Sequence, residues 1–184
     1  SAAGRAGATA AGTGGTGSAS APTEKFSFFV TSLQAMRERS GSENGFGGDL
    51  RYGQASGLEG ADKLCGDIAE SSMPGARLKG WRAFLSTKAG GANGGPVHAR
   101  DRVGNGPWYD RRGRLVAMNL TALLSTRPMG ADSMIVNDLP NETGLGNRAA
   151  AQMDDPSGAA TDNHDVVTGS NTMGRLNNTD PRST

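Results

Sequence analysis

One segment constrains the fold more than any other: Gly57-Leu58-Glu59-Gly60-Ala61-Asp62-Lys63-Leu64-Cys65-Gly66-Asp67-Ile68-Ala69. Leu58, Ala61, Leu64, Cys65 and Ile68 recur at three- and four-residue spacing, while Glu59, Asp62, Lys63 and Asp67 fall elsewhere. That pattern predicts an amphipathic helix of about three turns, stopped near Met73-Pro74-Gly75 by the proline. Its apolar face carries Cys65, the only cysteine of the chain. A thiol in that place is either a plain core residue or half of a disulfide whose other half is not in this sequence.

Little else is available to build a core. Aromatic residues are 5% of the chain and hydrophobic residues 35%, against 29 glycines in 184 positions, so the packed part is expected to be small. Residues 1–25 are nearly all Gly, Ala, Ser and Thr and read as a flexible tether, with the folded domain assigned to 26–184. With 19 basic and 18 acidic side chains the formal charge is +1, which gives no broad field to draw nucleic acid or an acidic membrane. No apolar run reaches the roughly 20 residues that a transmembrane helix needs.

Phe26-Ser27-Phe28-Phe29-Val30-Thr31-Ser32 alternates apolar and polar positions and predicts a half-buried strand. The run from Gly41 to Gly53 has the look of a phosphate loop, but no Lys-Ser/Thr follows it, and glycines serving a loop with positive φ account for it. Trp81-Arg82-Ala83-Phe84-Leu85-Ser86 predicts a second strand whose Trp and Phe belong to the core. Trp108-Tyr109 and Leu115-Val116 flank a turn ending in Gly113 and predict a short hairpin, and Asn119 to Ser125 a short helix. Around that hairpin Arg100, Arg102, Arg111, Arg112 and Arg114 alternate with Asp101 and Asp110, the pattern of an ion-paired face rather than an anion site. From Arg127 onward the patterning fades into loops rich in Asn, Asp, Gly and Pro.

Taken in order, Phe28-Phe29-Val30-Thr31-Ser32, Gly48-Asp49-Leu50, the Gly57-to-Cys65 segment, Trp81-to-Ser86 and Trp108-Tyr109-Asp110 resemble a bacterial family of exported domains, many of them lipoproteins of unknown function. That family is similar to the C-type-lectin-like and endostatin fold, and the Gly-Leu-x-Gly-Ala-Asp-x-x-Cys piece carries the resemblance most specifically. The resemblance implies an α+β, C-type-lectin-like module, exported to the bacterial cell surface, outer membrane or exterior. The Gly/Ala/Ser-rich stretch would then be the stalk below a lipid anchor. In the family the helix cysteine pairs with a cysteine in a closing C-terminal strand, which makes Cys65 a disulfide half and this sequence an N-terminal portion.

A lectin-like fold would bring together oxygen donors from two loops: Asp138, Asn141 and Glu142 in one, Asp162, Asn163 and Asp165 in the other. Hard oxygen ligands on loops suit Ca²⁺, although the spacing is not that of an EF-hand. The same residues also serve as Asx-turns and caps, the plainer reading. The Glu-Pro-Asn and Trp-Asn-Asp signatures of sugar-binding C-type lectins are absent. The resulting expectation is a non-catalytic surface module for an unidentified protein or carbohydrate ligand. Two alternatives stand beside it: a subunit completed by strand addition from a neighbouring copy, or a hydrolase using His164 with Asp162 or Asp165.

Overall fold

A computed structural model of the chain describes residues 24–136, 138–146 and 168–177, and the structure that follows is that of those residues. The helix expected from the Gly57 segment forms as α2, Gly57–Ser72. Its start is fixed by a capping box: the Ser56 hydroxyl accepts from the Glu59 amide, and the Glu59 carboxylate accepts from the Ser56 amide. Ala61, Leu64, Ile68 and Ala69 are buried along one stripe.

A helix that the periodicity did not reveal precedes it. α1 spans Leu33–Ser40, capped by Ser32 at its start and by Gly41, in the left-handed region, at its end. Only Ala35 of its eight residues is buried, so no apolar stripe announces it in the sequence. The hairpin forms as β1, Trp108–Tyr109, paired antiparallel with β2, Leu115–Ala117, and α3 follows at Leu120–Leu123 under an Asn119 cap.

The two other expected strands do not form ladders. Phe26 to Val30 pairs with no strand in register: the Ser27 and Phe28 amides share the carbonyl of Tyr109 in β1, and the Val30 amide goes to Pro140. The reason lies in its side chains, which serve both faces instead of one. Phe26 stacks edge-on against Trp81 in a cluster with Ala69, Met73 and Ala76; Phe28 packs with Trp108, Val116 and Ile135; Phe29 joins the first cluster to that of Leu64 and Ile68. This segment threads three small cores and ties them together. Trp81 to Ser86 likewise forms no ladder, the Leu85 amide turning back to the Ala83 carbonyl, and its Trp81 ring is held by the indole N–H donating to the Ala76 carbonyl at 2.8 Å.

Small cores need other means of cohesion, and one turn supplies it three times. Asp110, Asn141 and Asn171 each begin a loop with glycine three positions on, at Gly113, Gly144 and Gly174. In every copy the side-chain Oδ1 accepts the amides two and four residues later, at 2.8 to 3.2 Å. The glycine amide donates to the Asx carbonyl, and the Asx amide donates to the carbonyl four residues on. The glycines stand at φ 74°, 78° and 68°, a region that side chains disfavour. Each loop is closed by a bridge between the residues on either side: Tyr109 with Leu115, Pro140 with Gly146, Ser170 with Leu176.

Charged groups are consumed in the same cause. The expected arginine-rich face is taken apart: Arg114 pairs with fully buried Asp110 at 2.6 Å, while Arg111 reaches the Ser72 carbonyl and hydroxyl. Arg102 grips Asp62 of α2 with one guanidinium nitrogen, at 2.8 and 2.7 Å, and the Ala83 carbonyl with the other, at 2.6 Å.

Candidate ligand-binding cleft

Gly41 to Gly53 forms a loop between α1 and α2 that folds back on itself. Gly41, Gly45, Gly47, Gly48 and Gly53 all have positive φ, which is the use that the glycine-rich sequence predicted. The loop is pinned to α2 at Gly60, where the Leu50 and Arg51 carbonyls come so close that a Cβ would stand 2.0 and 2.1 Å from them. Only glycine permits that approach.

Tyr52 is the second pin. Its ring lies under the Lys63 ammonium at 4.1 Å and edge-on to Phe46 at 5.7 Å, and its hydroxyl helps hold the Asp67 carboxylate. To reach these partners it takes φ 46°, the left-handed region that bulky residues avoid at a cost of about 1–3 kcal/mol. Asp67 in turn holds Lys63 at 3.0 Å and Arg77 at 2.9 Å.

The loop itself, from Ser40 at the end of α1 onward, surrounds a cleft of about 590 Å³, lined by Ser40, Phe46, Asp49, Arg51, Tyr52 and Gln54 with glycine backbone between them. Asp49 and Arg51 are paired across its rim at 2.6 Å, and the hydrogen bonds from Arg51 hold the Asp49 carboxyl down at about 2. The cleft thus offers two aromatic rings, a hydroxyl, a carboxamide and a neutralised ion pair. The sequence did not single it out; the signal was Phe46 and Tyr52 set among glycines, since a large ring in such a loop has to rest on something.

The oxygen donors weighed for calcium have the following places. Asn141 opens the second of the recurring turns, its Oδ1 accepting the Thr143 amide and hydroxyl and the Leu145 amide. Glu142 is buried and spends both carboxylate oxygens on Ser32. Asp138 lies against Gly146, at whose α-carbon a Cβ would meet its carboxylate at 2.0 Å. Asp162, Asn163 and Asp165, with His164 of the hydrolase alternative, fall outside the described residues. Among the described residues no group of three or more His, Cys, Asp and Glu side chains is placed to hold a metal, and no helix is long and apolar enough to cross a membrane. His98 takes the Leu176 amide on Nδ1, anchoring the third turn.

Cys65 is a free thiol on the buried side of α2. Burial pushes it up to about 12, and the Asp62 charge adds to the effect. No family model matches the chain, and neither does any curated protein or solved structure.

Proposed function

We propose that this chain is a non-catalytic binding module of the bacterial cell surface, exported and carried on the stalk of residues 1–25, and that its ligand sits in the cleft that residues 40–54 form. The strained Tyr52 carries this reading: φ 46° is maintained by Lys63, Asp67 and Phe46 at the floor of an open, mixed polar and aromatic cleft. Strain held in place by surrounding packing is characteristic of ligand clamps, and a concavity with rings and a few convergent polar groups is the usual form of a ligand seat.

The ionisable groups support a scaffold role for the rest. Asp62, Asp67 and Glu142 each pair with a group outside their own element, at Arg102, Arg77 and Ser32, and Asp110 closes its own turn with Arg114. The test is an array of cell-surface glycans and neutral peptides probed with the labelled chain and with its Gln54→Ala variant. Binding that Gln54→Ala weakens supports the reading; signals that the variant leaves unchanged, or none at all, overturn it.

A further inference from the structure

We infer that Asn105 is a site of spontaneous modification, at which asparagine loses ammonia and becomes aspartate or isoaspartate, and that the fold selects it over two asparagines of like sequence. The chemistry is favoured where glycine comes next in the chain, because no side chain then hinders attack by the following amide. The chain has three such pairs, Asn44-Gly45, Asn93-Gly94 and Asn105-Gly106, and all three asparagines are exposed. Sequence alone therefore ranks them together.

The hydrogen bonds of the glycine amides separate them. In the reaction the glycine nitrogen gives its proton to solvent base and attacks the asparagine Cγ. An N–Cγ bond forms, the Cγ–Nδ2 bond breaks, and the departing nitrogen takes up a proton and leaves as ammonia. Water then opens the cyclic imide at either carbonyl, the side-chain one giving aspartate and the main-chain one isoaspartate. An amide already donating to a carbonyl has to surrender that bond first. The Gly45 amide donates to the Ser42 carbonyl at 3.0 Å, and the Gly94 amide to the Gly91 carbonyl at 3.1 Å. The Gly106 amide donates to no acceptor among the described residues, and Gly106 is itself exposed.

The position gives the reaction a structural consequence. Gly106 leads into β1, and its α-carbon approaches the Trp108 ring so closely that a Cβ would stand 2.8 Å from two ring carbons. Trp108 is buried in the cluster of Val116, Ala117, Ala122 and Ile135. Isoaspartate lengthens the main chain by a methylene just before that contact, whereas aspartate only places a carboxylate at an exposed position.

The experiment incubates the full chain at pH 8, folded and in urea, and follows the one-dalton mass gain of each Asn-Gly peptide, with Asp and isoAsp forms resolved by chromatography. In the folded chain Asn105 is expected to convert about five- to tenfold faster than Asn44 and Asn93, and in urea all three at similar rates. The isoaspartate form should melt below the parent, while the Asn105→Asp variant melts with it. Equal rates in the folded chain, or a faster Asn44 or Asn93, overturn the selection, as does a lead for Asn105 that persists in urea. An isoaspartate form as stable as the parent overturns the consequence for the Trp108 cluster.

Discussion

Glu142 closes on Ser32 across 110 residues of chain: one carboxylate oxygen accepts the Ser32 hydroxyl at 2.6 Å, the other its amide at 3.0 Å. Ser32 is also the N-cap of α1, its hydroxyl oxygen accepting the Ala35 amide. The second recurring turn is therefore locked to the start of the first helix, and Ser72 at the end of α2 joins them by donating to the Glu142 carbonyl. Removing the carboxylate leaves two buried donors without their acceptor. Glu142→Ala is expected to lose about 3 kcal/mol in urea unfolding, and Ser32→Ala should add much less on top of it than alone. Additive losses would show that the two do not act as a unit.

Gly60 and Gly57 provide a contrast within one helix. A Cβ at Gly60 would collide with the Leu50 and Arg51 backbone, whereas one at Gly57, in the first turn, meets nothing within 4 Å. Gly60→Ala should cost about 3 kcal/mol and disturb the cleft, while Gly57→Ala should raise stability by about 0.5 kcal/mol. Thermal melts of both variants check this, and a neutral Gly60→Ala would refute the close approach.

The recurring turn predicts that equivalent substitutions behave alike. Asn141→Ala and Asn171→Ala each remove an Oδ1 that accepts two backbone amides, and each should cost about 1–2 kcal/mol. Asn→Asp at either position keeps the acceptor, as Asp110 does in the first copy, and should recover most of the loss. Equal losses for Ala and Asp would mean that the amide N–H₂, not Oδ1, matters.

Cys65 titrates far above an ordinary thiol, at about 12, so little thiolate exists at pH 8. Iodoacetamide should label the native chain on the order of a thousandfold more slowly than a free thiol, and at the ordinary rate in urea. Rapid labelling of the folded chain would contradict the burial of that sulfur.

At Asp67, burial favours the neutral acid, but the Lys63 and Arg77 charges and the Tyr52 hydroxyl outweigh it and hold the carboxyl below the usual range. A carboxyl depressed by folding contributes stability above its unfolded value of about 4 and loses it as the pH falls through the folded value. The urea midpoint should hold from pH 7 to 5 and fall below about pH 4. Asp67→Asn should lower the plateau and flatten part of that fall; an unchanged slope would exclude Asp67 as a contributor.

How much of this was legible depended on whether an element carries its own signal. α2 announces itself through a period and a stopping proline, and the Trp108 hairpin through its turn. α1 has a cap and little else, because it is held by Ser32, Glu142 and Phe29 rather than by an apolar stripe. Phe26 to Val30 has the alternation of a strand, yet Phe29 between the alternating positions is also packed, and that single residue marks a segment buried on two sides. Of the cleft, the need for glycine in the loop was readable; that Tyr52 would fold under Lys63 was not, since nothing local links residues on opposite sides of the Ser56 cap. For Asn141, the Asx-turn reading is the geometry seen, while Glu142 found a partner that only the tertiary fold brings near.

The thrice-used turn has a consequence for how this protein responds to heat. Backbone-satisfying side chains do the work that a larger oil-like interior does elsewhere, and exposing polar surface on unfolding lowers the heat capacity where exposing apolar surface raises it. A fold cemented in this way has a shallow stability curve, broad across temperature and slow to fall off on cooling.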